Sequence, residues 1–324
     1  MSGPRVGLVG AERRRHGLGP FVFRDLIAAG ARVPCFVTTN ERSREAAESR
    51  LSAAGSPARG YLTVDAMLAS ESLDAVAIQS PSATHADYLE AALRAGLPVL
   101  CDKPLVWGRP GLALHAAEIV GAFERAGLLL WEICQWPYTL TAYELLFPGA
   151  LASAPERFEM WMQPVSAGVQ AFGDSLPHPL SLLQRLVPGG SPRLGDVRIA
   201  PEPGRDDERC VSFDYHSDAG CVAVAVHLEP RRSGRREAAY ALDGRVGRRR
   251  ISGARYRLSF VSDDGREVPL ADPMTHLVTD FVAALRGAAR AAPGREIVER
   301  MAMLDQLVDA HARRAPVGPA GTSP

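Results

Sequence analysis

Lys103 is the single lysine of the chain; the other 36 of its 37 basic residues are arginines. Arginine suffices wherever a fixed positive charge is wanted, because it does not release its proton in a protein. A partly desolvated lysine can shed its charge, so Lys103 points to an ammonium used for electrostatic or proton chemistry. A second grouping is Gly10, Gly17 and Gly19, which lie between a short apolar run and a segment opened by Pro20. Glycines at such a turn let backbone N–H groups approach a pyrophosphate at a helix N-terminus. The spacing is not an intact GxGxxG, since Ala11 and Glu12 follow Gly10 and Arg13–His16 intervene. A purely structural glycine turn is therefore the alternative.

A third grouping ends the second apolar run, where an acid usually binds the ribose hydroxyls of NAD. This chain has Thr38-Thr39-Asn40 there, followed by Arg42 and Arg44. A missing acid beside guanidiniums favours a 2′-phosphate, hence NADP(H) over NAD(H). A solvated helix face is the other reading of the two arginines.

The elements that must position these groups follow from the pattern. Arg5–Gly10, Val33–Thr38, Asp74–Gln79, Val99–Cys101 and Leu128–Cys134 read as buried strands. Helical segments Phe21–Ala29, Glu41–Ala54, Val64–Ala69, Ala86–Ala95 and Leu112–Ala126 alternate with them. Such alternation predicts a doubly wound parallel sheet covered on both faces, of the Rossmann-like α/β class. After Cys134 the texture changes. Arg157–Gln163, Arg209–His216, Cys221–Leu228, Tyr240–Leu242, Ala254–Val261 and Glu267–Leu270 read as strands without helices between them. They predict a C-terminal α+β domain with an open, mostly antiparallel sheet, one early helix near Pro179–Leu186 and C-terminal helices Met274–Ala289 and Glu296–Ala312. The expected division is 1–134, 135–312 and a flexible tail over 313–324. Arg231–Arg236 and Arg248–Arg250 read as solvated loops. Trp131, Glu132, Gln135, Trp136 and Tyr138 follow the last parallel strand, at the edge where ligands sit; Gln135, Trp136 and Tyr138 are the substrate-binding candidates. Their aromatic character suggests a substrate less polar than a free hexose.

Composition sets outer bounds. Apolar content is 46%, and 37 basic residues balance 37 acidic ones, so no global charge draws the chain to nucleic acid or membrane. Five cysteines show no paired spacing, no signal-peptide layout opens the chain and no apolar run is long enough to span a bilayer; a cytoplasmic protein is the expectation. No grouping has metal-ligand spacing and no GxSxG elbow occurs.

Within Asp74–Leu105, Ser80-Pro81, His85, Gly96 and Asp102-Lys103-Pro104 stand in order. This stretch resembles the Gfo/Idh/MocA oxidoreductase family, with Asp102 for its usual Glu. The resemblance implies a nicotinamide site at Gly10, Ala11, Gly17, Gly19, Thr38, Thr39, Arg42, Ser80, Pro81, His85 and Lys103, with His85 lining rather than catalytic. It also implies an Asp and a His four apart at the first helix of the second domain, matched by Asp174 and His178. Lys103, His178 and Asp174 would then be the catalytic group. Histidine titrates near neutrality and can exchange a proton with a reacting hydroxyl; Lys103 would polarise the oxygen or relay its proton, and Asp174 would hold the imidazole or a substrate hydroxyl in place. In isolation, His178 reads equally as a capping residue between prolines and Asp174 as an N-cap. The function implied is hydride transfer between NAD(P) and a hydroxyl or carbonyl carbon of a sugar, cyclitol or related metabolite, in a homodimer or homotetramer. A non-redox enzyme (elimination, hydrolysis or isomerisation) or a non-catalytic binding protein is the alternative.

Overall fold

The computed structural model describes residues 3–11, 18–53, 55–202, 205–230, 236–253, 256–288 and 293–313. Gly17 and residues 314–324 of the expected tail therefore lie outside the described residues.

The N-terminal half is a six-stranded parallel sheet of β1 (Arg5–Val9), β2 (Arg32–Val37), β3 (Arg59–Tyr61), β4 (Ala75–Ile78), β5 (Val99–Asp102) and β6 (Leu130–Ile133). Their spatial order is β3-β2-β1-β4-β5-β6, so the direction of winding reverses between β1 and β4. Ligands of such sheets sit at the carboxyl ends of the strands by that reversal. Period-two alternation sorts the side chains onto two faces. Val6, Leu8, Ala75, Ala77, Leu100, Trp131 and Ile133 enter one apolar cluster, while Val9, Val76, Ile78, Val99, Cys101 and Leu130 enter the other. Helices α1 (Gly19–Ala28), α2 (Glu41–Ala53), α3 (Val64–Ser70), α4 (His85–Arg94) and α5 (Leu112–Arg125) connect the strands. The sequence pattern misses only the three-residue β3, too short to show a period.

After α6 (Leu140–Leu146), the chain builds an eight-stranded sheet. It contains β7 (Arg157–Met162), β8 (Arg193–Glu202), β9 (Arg205–Ser217), β10 (Gly220–Leu228), β11 (Ala238–Leu242), β12 (Arg245–Ser252), β13 (Arg257–Val261) and β14 (Glu267–Leu270). The order is β14-β13-β12-β11-β7-β10-β9-β8, and every pair is antiparallel except β7 with β10. Val222, Val224, Val226 and Leu228 of β10 face the core, while Cys221 and Ala223 are exposed, as in a sheet covered on one side. Two strands, β8 and β12, escape the sequence pattern. Arg248–Arg250, expected in a solvated loop, lies on β12; the Asp243-Gly244 turn, with both residues at positive φ, pairs Leu242 with Arg245 and returns the chain as a strand.

Helices α7 (Gln170–Ser175) and α8 (Pro177–Leu186) lie beneath this sheet. The C-terminal helices α9 (Pro273–Leu285) and α10 (Gly294–Ala312) return to the parallel sheet's layers. α9 packs on α1 through Leu277, Val278 and Phe281, and α10 packs on α5 and α8. Apolar burial thus binds the two sheets into one body.

Candidate active site

The first strand–helix turn is built by close backbone approach. Gly10 has φ +87°, and a Cβ there would lie 2.7 Å from the carbonyl of Gln79. Gly19, at the start of α1, comes so near that its Cβ would sit 2.1 Å from the Gly10 oxygen. These are the tight turn and the close helix–strand packing that a dinucleotide loop requires. No side chain caps the first turn of α1, and Pro20 there has no N–H to satisfy. Ala11 is buried, its carbonyl accepting from Arg50 at 2.8 Å. Where it is described, at Gly10, Ala11 and Gly19, the turn fits a pyrophosphate held by backbone; residues 12–17 lie outside the described residues.

At the end of β2, Thr38 is buried with its hydroxyl 3.5 Å from the Asn40 carbonyl, and Thr39 is exposed. Asn40 accepts from the Ser43 N–H at 3.0 Å and so starts α2. The two arginines beyond differ. Arg44 is ion-paired to Glu41 and Glu48, at 2.6 and 3.1 Å, whereas exposed Arg42 makes no ion pair among the described residues. Of these two, Arg42 is the one whose charge is unpaired among the described residues.

His85, expected to line the cofactor, is fully buried. Its Nδ1 lies 2.9 Å from the Pro104 carbonyl and its Nε2 2.9 Å from that of Ser80. With both ring nitrogens facing the protein, it ties the Ser80-Pro81 turn to the loop that follows β5. Thr84 supports the same turn, its hydroxyl 2.8 Å from the Ser80 hydroxyl.

That loop carries Lys103, half-buried and joined to Pro104 by a cis peptide. Its ammonium donates to the Asp174 carbonyl at 2.5 Å and approaches that of Gly173 at 3.4 Å. Pro177 has no N–H, so the Gly173 carbonyl lacks its helical donor and is left for a cation. Downstream, the Trp107 indole donates to Gln170 at 2.7 Å and lies where a Cβ on Gly173 would be, 2.9 Å away. A buried ion pair fixes the loop from below: Glu132 accepts from the Leu105 N–H at 2.7 Å and from Arg300 at 2.7 Å. Arg300 also donates to Gln184 of α8 at 2.5 Å. Burial holds the Asp102 carboxyl above the usual range, with the neighbouring Lys103 opposing it.

Leu176, between α7 and α8, keeps helical angles, so Asp174 and His178 stand one turn apart on a nearly continuous helix. The carboxylate nevertheless does not orient the imidazole. Its Oδ2 accepts from the Ser166 N–H at 3.1 Å, while His178 Nδ1 is buried with no hydrogen-bond partner. What Asp174 lends the site is its main-chain oxygen, which holds Lys103. His178 is 7% exposed. Burial drives its pKa well below the ordinary histidine value, and the cations Lys103, Arg249, Arg236 and Arg300 lower it further. The ring is therefore neutral, with one of its two nitrogens free of a proton.

The aromatic residues on and after β6 pack against their neighbours. Trp131 meets Phe281 edge-on, and Trp136 meets Tyr240 the same way. Tyr138 stacks on His276 and its hydroxyl donates to Asp280 at 2.7 Å, so it faces α9. Trp131 and Tyr138 thus give no ground for a less polar substrate. Trp136 does reach the site, 6.2 Å from the His178 ring, and the neighbouring Gln135 Oε1 is buried without a partner. A residue the sequence reading missed joins them. Arg249 of β12 lies over the Trp136 ring at 5.3 Å, with burial lowering its pKa to about 10. Only the Asp243-Gly244 turn before RVGRRRIS hinted at a returning strand; once paired, it sets Gly247, Arg249 and Ile251 on the inward face. Among the described residues no group of three metal-ligating side chains occurs, and no helix is long and apolar enough to cross a membrane.

Residues 5–132 match the family described as an oxidoreductase family with an NAD-binding Rossmann fold, Gfo/Idh/MocA. The chain is 39% identical over 103 residues to D-xylose 1-dehydrogenase (NADP(+)) 2 of Haloferax volcanii, a stretch that is 30% of each chain. It is 38% identical over 78 residues to dTDP-3,4-didehydro-2,6-dideoxy-alpha-D-glucose 3-reductase of Actinomadura kijaniata, 24% of this chain and 21% of that one. These matches span less than a third of either relative's length. Its fold extends further: UDP-N-acetylglucosamine 3-dehydrogenase from Acidithiobacillus ferrooxidans superposes with a TM-score of 0.69 at 21% identity, over 96% of this chain and 98% of that one. The likeness to the Gfo/Idh/MocA family of oxidoreductases thus lies in residues 5–132, the part that matches its NAD-binding Rossmann fold.

Proposed function

We propose that this protein is an NADP(H)-preferring oxidoreductase acting on a hydroxyl or carbonyl carbon of a sugar- or cyclitol-like metabolite. The observation that carries the reading is the Lys103 ammonium held on the Gly173 and Asp174 carbonyls, one helical turn before a buried, neutral His178. Gly10, Ala11, Gly19, Ser80 and Pro81 would hold the dinucleotide backbone, His85 would brace Ser80 against Pro104, and Arg42 would meet a 2′-phosphate, with Thr38 and Thr39 beside it. Bound there, the nicotinamide supplies a hydride acceptor or donor. His178 takes the proton of the substrate hydroxyl during oxidation and returns it during reduction. Lys103 stabilises negative charge on that oxygen or relays its proton, which an arginine cannot do, and its three donors let it keep a main-chain carbonyl while doing so. Gln135 and Trp136 would border the substrate. The sugar dehydrogenase and the dTDP-sugar reductase among the relatives, the first with NADP(+) in its name, support the substrate class and the cofactor.

Titration with NADPH and NADH tests the cofactor half: saturable binding with NADPH tighter is expected, and no binding of either overturns the reading. Lys103→Arg and His178→Asn test the chemistry. Each is expected to lower kcat by about 100-fold or more while the cofactor still binds; a Lys103→Arg enzyme of near-normal kcat refutes the role given to the amine. Pairing of two copies through the outer face of the second sheet, where Trp161 stacks on His227 at 5.2 Å, belongs to the same reading. A monomer in sedimentation equilibrium removes it.

A further inference from the structure

Strand β12 carries three consecutive arginines, and their partners differ. Arg248 and Arg250, on the outward face, are each paired to an acid, Asp263 at 3.2 Å and Glu267 at 2.8 Å. Arg249, on the inward face, has no carboxylate at ion-pair distance among the described residues. Its one hydrogen bond is to the main-chain oxygen of Arg236 at 3.2 Å, and its Nε is buried without a partner. The other inward guanidinium, Arg300, is satisfied by Glu132 and Gln184. A desolvated charge left without its counter-ion is costly. The cost falls beside the reacting group, because Arg249 stacks on Trp136 and Trp136 lies against His178. Asp272, whose charge also acts on Arg249, is itself paired to Arg24 at 3.0 Å. The Trp136 ring thus lies against two side chains that each carry an unpaired buried nitrogen, Arg249 and His178, and Gln135, next to it in the chain, holds an unpaired buried oxygen.

We propose that Arg249 is a specificity-determining residue, receiving an oxyanion group of the substrate, a carboxylate or a phosphate, on the Trp136 platform. A guanidinium fork matches two oxygens of such a group, and the aromatic face beneath holds it in plane. A neutral polyol would leave the fork without its counter-charge. The assignment rests on the oxidoreductase reading for its substrate, though the anion site itself can be tested apart from turnover.

The test is calorimetric titration of the full chain, with and without NADPH, using D-glucuronate, D-glucose 6-phosphate and D-glucose. At least one of the two anions is expected to bind about tenfold or more tightly than D-glucose, and which one identifies the group as carboxylate or phosphate. Arg249→Gln should remove that preference, and Arg249→Lys, which keeps the charge without the fork, should retain only part of it. A wild-type protein that binds neither anion more tightly than D-glucose overturns the proposal, as does Arg249→Gln with its preference intact. Should Arg249→Gln not fold, the wild type decides through salt: raising it from about 0.05 to about 0.5 M should weaken anion binding several-fold and leave D-glucose unchanged. Equal insensitivity overturns the proposal. NADPH saturation without anion preference refutes this inference alone; anion preference without nucleotide binding refutes the oxidoreductase reading alone.

Discussion

Glu132→Gln isolates the buried ion pair beneath the Lys103 loop. Both partners are out of water, with side-chain exposures of 0% for Glu132 and 5% for Arg300. The amide oxygen of Gln can still accept the Leu105 N–H, so that bond survives the change. The second position becomes an NH2 facing the Arg300 donors, and the guanidinium is left buried without its counter-charge. Breaking one side of such a pair costs about 3–5 kcal/mol, a large share of the roughly 5–15 kcal/mol that holds a folded domain. At about 2–4 °C per kcal/mol, the melting midpoint falls by about 6–20 °C. Adding Arg300→Met removes the stranded charge, so the double variant should recover at least half of the loss. Urea denaturation and calorimetry on the three proteins read both steps. A single variant within about 1 kcal/mol of wild type refutes the reasoning, as does a double variant no more stable than the single.

The other predictions concern the histidine, the cofactor pocket and the turn. Between about pH 6.5, the value of an unperturbed histidine, and the lower pKa of folded His178, the unfolded chain binds a proton that the folded chain does not. Stability therefore falls as pH drops through that window, and His178→Asn should flatten the dependence in chemical denaturation. For the same reason the acidic limb of the oxidation rate should lie below pH 6.5; a limb above it would contradict the neutral ring. Arg42→Asp should weaken NADPH by about tenfold or more and leave NADH equal or tighter, measured by fluorescence titration; parallel losses for both would remove Arg42 from the 2′-phosphate. Gly10→Ala meets the Gln79 backbone at positive φ and should cost more than about 2 kcal/mol, whereas Gly55→Ala, at φ +74° in open space, should cost about 1. Equal costs in denaturation would refute the packing account of the turn.

The parallel sheet was legible in the sequence because strands buried on both faces are written as apolar runs, and helices between them end on glycines such as Gly30 and Gly96. Lys103 and the Ser80–Pro104 stretch were legible for a different reason: residue type, with one ammonium in an arginine chain, and motif order survive without any three-dimensional context. Strand β12 was hidden because its outward positions hold paired arginines and its inward ones include a third, so hydrophobic alternation is nearly absent. That the Asp174 carboxylate turns to the Ser166 N–H and its carbonyl to Lys103 was not legible, because spacing puts two groups on one helix face but does not say which neighbour each takes.

Types, periods and local turns are properties of adjacent residues, and these the chain determines by itself: two sheets, a glycine turn, a lone amine and a histidine between prolines. Partnership is a property of residues brought together by folding across gaps of many positions. Only the tertiary structure pairs Glu132 with Arg300, sets Lys103 on the Gly173 and Asp174 carbonyls, and brings Arg249 over Trp136 beside His178. Charge and burial act through space, so which groups are neutral, paired or left waiting is decided there.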